Sequence, residues 1–187
     1  MDIPWPPERI AAGRANFARL AQEAGLEVGE RTRWYDSTPA HEAAEWAREQ
    51  GPPEREEEFR RAIFRAYFVH DRNIADPDVL VAAASTVGAC VGFGTPDQAK
   101  GIAGPSATGG PAAYTPEQLA DLRATLVERR YREAVQQQYQ EARDLGVTAV
   151  PTFVAGGYAL VGAHPYEHFH RLMEACGQAP RMPGATD

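Results

Sequence analysis

The sequence predicts an α/β chain that is mostly helical and closes with a β-hairpin and one last helix. Three observations carry this reading. Apolar residues recur at helical spacing from Glu8 onward, with capping signals and proline or glycine punctuation between the runs. The pattern changes at Gly146-Val147-Thr148-Ala149-Val150-Pro151-Thr152-Phe153-Val154, where a β-branched residue precedes proline and a short apolar run follows. Gly156-Gly157 then separates Thr152–Ala155 from Tyr158–Val161, the pattern of two strands joined by a two-residue turn that needs positive φ.

The first helix is expected over Glu8 to Ala24, with Ile10, Phe17, Leu20, Ala21 and Ala24 on one face and Gly25 as its stop. Glu27 to Asp36 is mostly polar and fits an edge strand or a loop. Thr38-Pro39 reads as a capping hydroxyl followed by proline at the first helical position, opening a helix through Ala43, Ala44, Trp46 and Ala47 to Gly51. A third helix, about Glu54 to Tyr67, buries Phe59, Ile63 and Tyr67. Its Glu54, Glu56, Glu57 and Glu58 complement the positive end of the helix dipole, so they mark a helix start and not a metal site. Asp76-Pro77 restarts helix with Val79, Leu80, Ala83 and Val87 as its face, and Gly88 ends it.

Residues 92–116 are rich in glycine and proline and read as a loop. Gly92-x-Gly94 lacks the third glycine and the preceding strand of a dinucleotide fingerprint, and no Gly-Lys-Ser or Gly-Lys-Thr follows, so phosphate binding is not expected. Thr115-Pro116-Glu117-Gln118 is a capping box, predicted to open one long helix to Leu145. Pro151, without an N–H, suits the first residue of a strand, and a trans proline is enough for that role. The last helix is expected from about Pro165 to Ala175, carrying Phe169, Leu172 and Met173.

Composition bounds function. The chain of 187 residues carries a net charge of −7, with 43% hydrophobic and 24% charged residues, which repels nucleic acid and anionic lipid. Neither is expected as a partner. The first residues, Met1-Asp2-Ile3-Pro4-Trp5-Pro6-Pro7, hold no basic stretch followed by an apolar run, and the cytoplasm is the expected location. Cys90 and Cys176 fit neither a zinc spacing nor a redox dithiol, and no Cys-x-x-Cys occurs. Each reads as a small apolar residue, with a long-range disulfide or one reactive thiol as the alternatives. Cys176 falls near the end of its helix, where the dipole opposes a thiolate. His164, His168 and His170 cluster, and His164 with His168 has i, i+4 spacing. With Pro165 in the first turn His164 reads as a near-cap residue, and Glu167 is the one acidic neighbour, so no metal and no cofactor is assigned. His41 and His70 stand isolated.

The proline-loop motif, together with Arg19-Leu-Ala-Gln-Glu-Ala-Gly-Leu26, Ala40-His-Glu-Ala-Ala-Glu-Trp-Ala-Arg-Glu-Gln-Gly51, Phe64-Arg-Ala-Tyr-Phe68 and Ile74-Ala-Asp-Pro-Asp-Val-Leu80, resembles the DsbA family, in its FrnE-like branch of thioredoxin-fold proteins. The resemblance implies a thioredoxin-like (DsbA-type) fold with a large helical insertion over 8–145. It places the last part of the thioredoxin fold at 146–177 and leaves a disordered tail at 178–187. It also implies that the N-terminal β-α-β part, with its Cys-x-x-Cys at a helix start, is absent, as if the chain were truncated. No catalytic residue carries over. The proline does: the resemblance implies a cis Pro151, with Val150, Pro151 and Thr152 as a substrate-binding edge for an extended peptide or thiol substrate.

The strands Thr-Phe-Val-Ala and Tyr-Ala-Leu-Val are near-continuous apolar runs of the kind buried on both faces, and a lone hairpin is marginal in water. A longer native N-terminus, packing wholly against the helices, or a homodimer or other sheet-completing partner would each resolve this. Three functions follow. The first is a DsbA-family thiol–disulfide oxidoreductase by resemblance, inactive alone for want of the dithiol. The second is a redox-dead peptide-binding or dimerising module. The third is a glutathione-dependent isomerase or transferase of the kappa type, whose catalytic serine would also lie near the absent first strand.

Overall fold

The computed structural model describes residues 6–30, 33–88 and 111–178. Seven helices and two strands are present among them: α1 Pro7–Glu23, α2 Thr38–Glu49, α3 Pro53–Phe68, α4 Pro77–Ser85, α5 Pro116–Glu128, α6 Arg132–Asp144, β1 Thr152–Ala155, β2 Tyr158–Val161 and α7 Tyr166–Ala175. The chain divides into two compact units, residues 1–135 and 136–187, and the division falls inside α6.

In the first unit α2, α3, α4 and α5 pack in a closed cycle, each against the next. Their apolar faces meet in Trp46, Phe59, Ile63, Leu80, Val87, Leu122 and Leu126, all buried. Tyr114, just ahead of α5, completes an aromatic cluster with Trp46 and Phe59 at ring separations of 5.1 and 6.0 Å. Trp46 also has a polar handle, its indole N–H donating to Asp121 on α5 at 2.8 Å. Arg55 lies over the Tyr114 ring at 4.7 Å and donates to the carbonyls of Ala112 and Ala113, which holds the segment before α5 against α3. The acidic start of α3 behaves as a helix start: Glu56 and Glu57 pair with Arg60 and Arg61 one turn on, and Glu58 accepts from the Gly88 N–H at the end of α4.

Helix α1 keeps its expected length but only part of its expected face. Ala21 is buried, Ile10 and Phe17 are half-buried, Leu20 is 38% exposed and Ala24 is exposed. Phe17 stacks on Phe68 at 5.4 Å. Gly25, at φ 66, closes the helix with its N–H on Gln22 and the Leu26 N–H on Ala21, the two bonds of a Schellman motif. The stretch from Glu27 to Asp36 forms no strand where it is described. Gly29 instead donates to the Phe68 carbonyl, and a Cβ there would clash with the Val69 carbonyl oxygen.

Two sequence expectations need correction. The cap of α2 is not the Thr38 hydroxyl: Asp36 accepts from both the Thr38 N–H, at 2.9 Å, and the Thr38 hydroxyl, at 2.6 Å. A carboxylate two residues ahead outcompetes a hydroxyl as the acceptor, and its pKa is held below the ordinary 3.8 by those two bonds. The long helix expected from Thr115 to Leu145 is two helices. The capping box at Thr115 and Gln118 forms as expected, but Arg129 adopts φ 57, ψ 41, a left-handed conformation more often taken by glycine, and ends α5. At this break Glu42, whose carboxylate is fully buried on α2, accepts from Arg129 Nε at 2.9 Å and Nη2 at 2.7 Å. A forked, charge-assisted pair of this kind secures a break that helical periodicity does not reveal.

Candidate functional site

The second unit holds the end of α6, the proline loop, the hairpin and α7. Gly146, at φ 78, ends α6 in another Schellman motif, with the Gly146 N–H on Arg143 and the Val147 N–H on Ala142. The chain then runs exposed through Thr148, Ala149 and Val150 to Pro151. The Val150–Pro151 peptide bond is cis. Val150 is 87% exposed.

Two hydrogen bonds fix the loop to the hairpin. The Thr152 hydroxyl donates back to the Ala149 carbonyl at 2.5 Å, and the Gly162 N–H donates to the Pro151 carbonyl at 2.7 Å, one residue beyond the Thr152–Val161 pair. Gly162 takes φ 99, open to glycine, at the point where β2 must turn toward α7. The sequence had marked Val150, Pro151 and Thr152 as one edge, and they are contiguous here. It had not marked Gly162 as a clamp, although a glycine directly after a strand was the available signal.

The strands pair antiparallel, with Phe153 opposite Leu160 and Ala155 opposite Tyr158. Gly156 and Gly157, at φ 54 and 82, make the expected primed turn. Cross-strand partners share a face. Phe153 meets Phe169 of α7 edge-on at 4.7 Å, so the Phe153, Leu160, Ala155 and Tyr158 face is the one α7 covers. The opposite face, Thr152, Val161, Val154 and Ala159, is open: Val154 is 64% and Val161 46% exposed. Within its own unit, α7 covers one face of the hairpin. No residue described from Gln136 to Gln178 is fully buried.

Helix α7 begins at Tyr166 with Pro165 as its N-cap, and Gly177 closes it. Tyr158, Leu160, His168, Arg171 and Leu172 line a shallow depression of about 300 Å³ between hairpin and helix. Cys176 is half-buried at the helix end, where a Cβ on Gly156 would come within 2.7 Å of its sulfur. It is a packing neighbour of the turn, remote from the proline in the hairpin. Cys90, residues 89–110 generally, and the tail from 179 lie outside the described residues. His41 and His70 are exposed. Among the described residues no group of three or more His, Cys, Asp or Glu is placed to hold a metal ion, and no helix is long and apolar enough to cross a membrane.

Residues 118–174 match the DSBA-like thioredoxin domain. The match takes in most of α5, all of α6, the proline loop, both strands and most of α7. The DSBA-like family is of the thiol–disulfide oxidoreductase type. No curated protein matches the chain.

Proposed function

We propose that the proline loop binds an extended polypeptide or thiol substrate along the backbone of Val150, as a substrate-binding element of a FrnE-like DsbA-family oxidoreductase, and that these 187 residues alone carry no dithiol chemistry. The observation that carries the reading is the exposed Val150-Pro151-Thr152 edge at the hairpin root, inside the span that matches the DSBA-like domain. Val150 offers its backbone N–H and carbonyl to an extended chain in the manner of strand addition, which takes affinity from main-chain hydrogen bonds. Pro151, lacking an N–H, cannot compete for that partner. Thr152 holds the turn through its bond to Ala149.

Dithiol exchange needs a thiolate and a resolving thiol close together. The sequence supplies Cys90 and Cys176 only, and Cys176 sits at the far end of α7. The chain should therefore leave insulin disulfides intact in the presence of dithiothreitol, at the rate of reductant alone. Reduced, carboxymethylated α-lactalbumin, a polypeptide that cannot fold, is the binding probe. Fluorescence anisotropy should register its binding to the wild-type chain and a several-fold weaker binding to Val150→Pro, which removes one main-chain donor worth about 0.5–1.5 kcal/mol. Equal binding by both proteins would exclude Val150 as the contact, and catalysed insulin reduction would exclude the inactive reading.

A second reading has an observation of its own. The open face of Thr152, Val154, Ala159 and Val161 favours a redox-silent module whose sheet is completed by another chain or a second copy. Sedimentation distinguishes it: the mass should rise with concentration if copies pair, and stay that of one chain if they do not.

A further inference from the structure

His164, between β2 and α7, and His168, on α7, are not used by the proline loop. His164 stands one residue before the α7 N-cap, half-buried, and His168 lies in the first turn, exposed. His164 Nε2 is 2.8 Å from the Val161 carbonyl oxygen. A carbonyl only accepts, so His164 carries its proton on Nε2 and, when neutral, offers Nδ1 as a lone pair. That atom faces His168 Nδ1 at 3.0 Å. In the metal-free neutral pair the His168 Nδ1–H donates to it.

We propose that His164 and His168 form a two-nitrogen site for a tetragonal divalent transition-metal ion of the nickel or copper kind, bound through both Nδ1 atoms. With metal–imidazole bonds of about 2.0–2.1 Å, nitrogens 3.0 Å apart subtend roughly 90–100° at the ion. That is close to the cis angle of a tetragonal ion, and imidazole suits nickel and copper. The Val161 carbonyl is the outer partner that a ligating imidazole needs on its second nitrogen, fixing tautomer and ring direction.

The metal takes the place of the shared proton. His168 moves its N–H from Nδ1 to Nε2, so a neutral pair releases no net proton. The rings, 5.1 Å apart and inclined at 56°, turn about their Cβ–Cγ bonds until the two lone pairs converge. His170 is engaged with Glu174 at 3.3 Å and is not a ligand. Among the described residues no third donor completes a cage, so the remaining positions fall to water or an incoming ligand. Glu167 beside His168 favours the cation and Arg171, which lines the same depression as His168, opposes it.

The test uses the full, untagged chain and nickel alone, because copper oxidises thiols. Calorimetry should show one nickel ion per chain, with binding weakened about tenfold or more in each of His164→Gln and His168→Gln and unchanged in His170→Gln. Wild-type affinity in either of the first two, or an equal loss in the third, overturns the assignment, as does the absence of binding.

Discussion

Removing Arg129 from the α5–α6 corner tests why that corner exists. The Glu42 carboxylate is fully buried, and Arg129 is the cation that pairs with it. Stripping the partner from a buried charge costs about 3–5 kcal/mol. The Arg129 side chain is 35% exposed, which gives the stranded carboxylate some access to water and moves the expectation to about 2–3 kcal/mol. A second effect runs the other way. Arg129 has φ 57, and a non-glycine residue in that region costs about 1 kcal/mol that glycine does not. Arg129→Ala should therefore lose about 3 kcal/mol, and Arg129→Gly about 2 kcal/mol. Glu42→Gln, which keeps the shape but removes the charge, followed by the double variant with Arg129→Gly, should show a coupling of about 1–3 kcal/mol. The assay is urea unfolding followed by far-ultraviolet circular dichroism. The reasoning is refuted if Arg129→Ala lies within about 0.5 kcal/mol of wild type, or if the glycine variant proves less stable than the alanine one.

Three further outcomes are expected. Gly156→Ala should loosen the hairpin by about 1–3 kcal/mol, combining positive-φ strain with a Cβ pushed within 2.7 Å of Cys176 Sγ, whereas Gly157→Ala, with open space around it, should cost about 1 kcal/mol; hydrogen exchange of the β1 and β2 amides reads both. The Asp121 carboxyl is held below its ordinary 3.8 by the Trp46 N–H first and Arg130 next, so as pH falls the unfolded chain takes up the proton before the folded one. Stability from this group is present above about 4 and lost below it, and Trp46→Phe should raise the Asp121 pKa in an NMR titration. Burial pushes the Tyr114 hydroxyl up to about 12, so above the ordinary 10 the unfolded chain sheds a proton the folded chain keeps; urea midpoints should fall between pH 10 and 12, and less so in Tyr114→Phe.

Most helices were legible because their ends carry local chemistry: Asp76 caps α4, Thr115 and Gln118 box α5, and Gly25, Gly146 and Gly177 close α1, α6 and α7. The hairpin was legible from Gly156-Gly157 for the same reason. What the sequence concealed was long-range. The break at Arg129 is where that residue pairs with Glu42, far back in the chain, whereas the cap of α2 was a local choice between acceptors two residues apart, Asp36 and Thr38. The helical apolar spacing of α1 promised more burial than it receives, because periodicity marks a face without saying how much of it is covered. At the site, Val150, Pro151 and Thr152 were readable as a contiguous motif, and the clamp from Gly162 was not, since it bridges the two ends of the hairpin.

The most direct test of the central claim is backbone amide NMR of the labelled chain as reduced, carboxymethylated α-lactalbumin is added. The account predicts shifts centred on Val150, Thr152 and Phe153, with Pro151 silent for want of an N–H and the α2–α5 core unmoved. Shifts that spare Val150 and gather elsewhere, or no shifts at saturating probe, would contradict it.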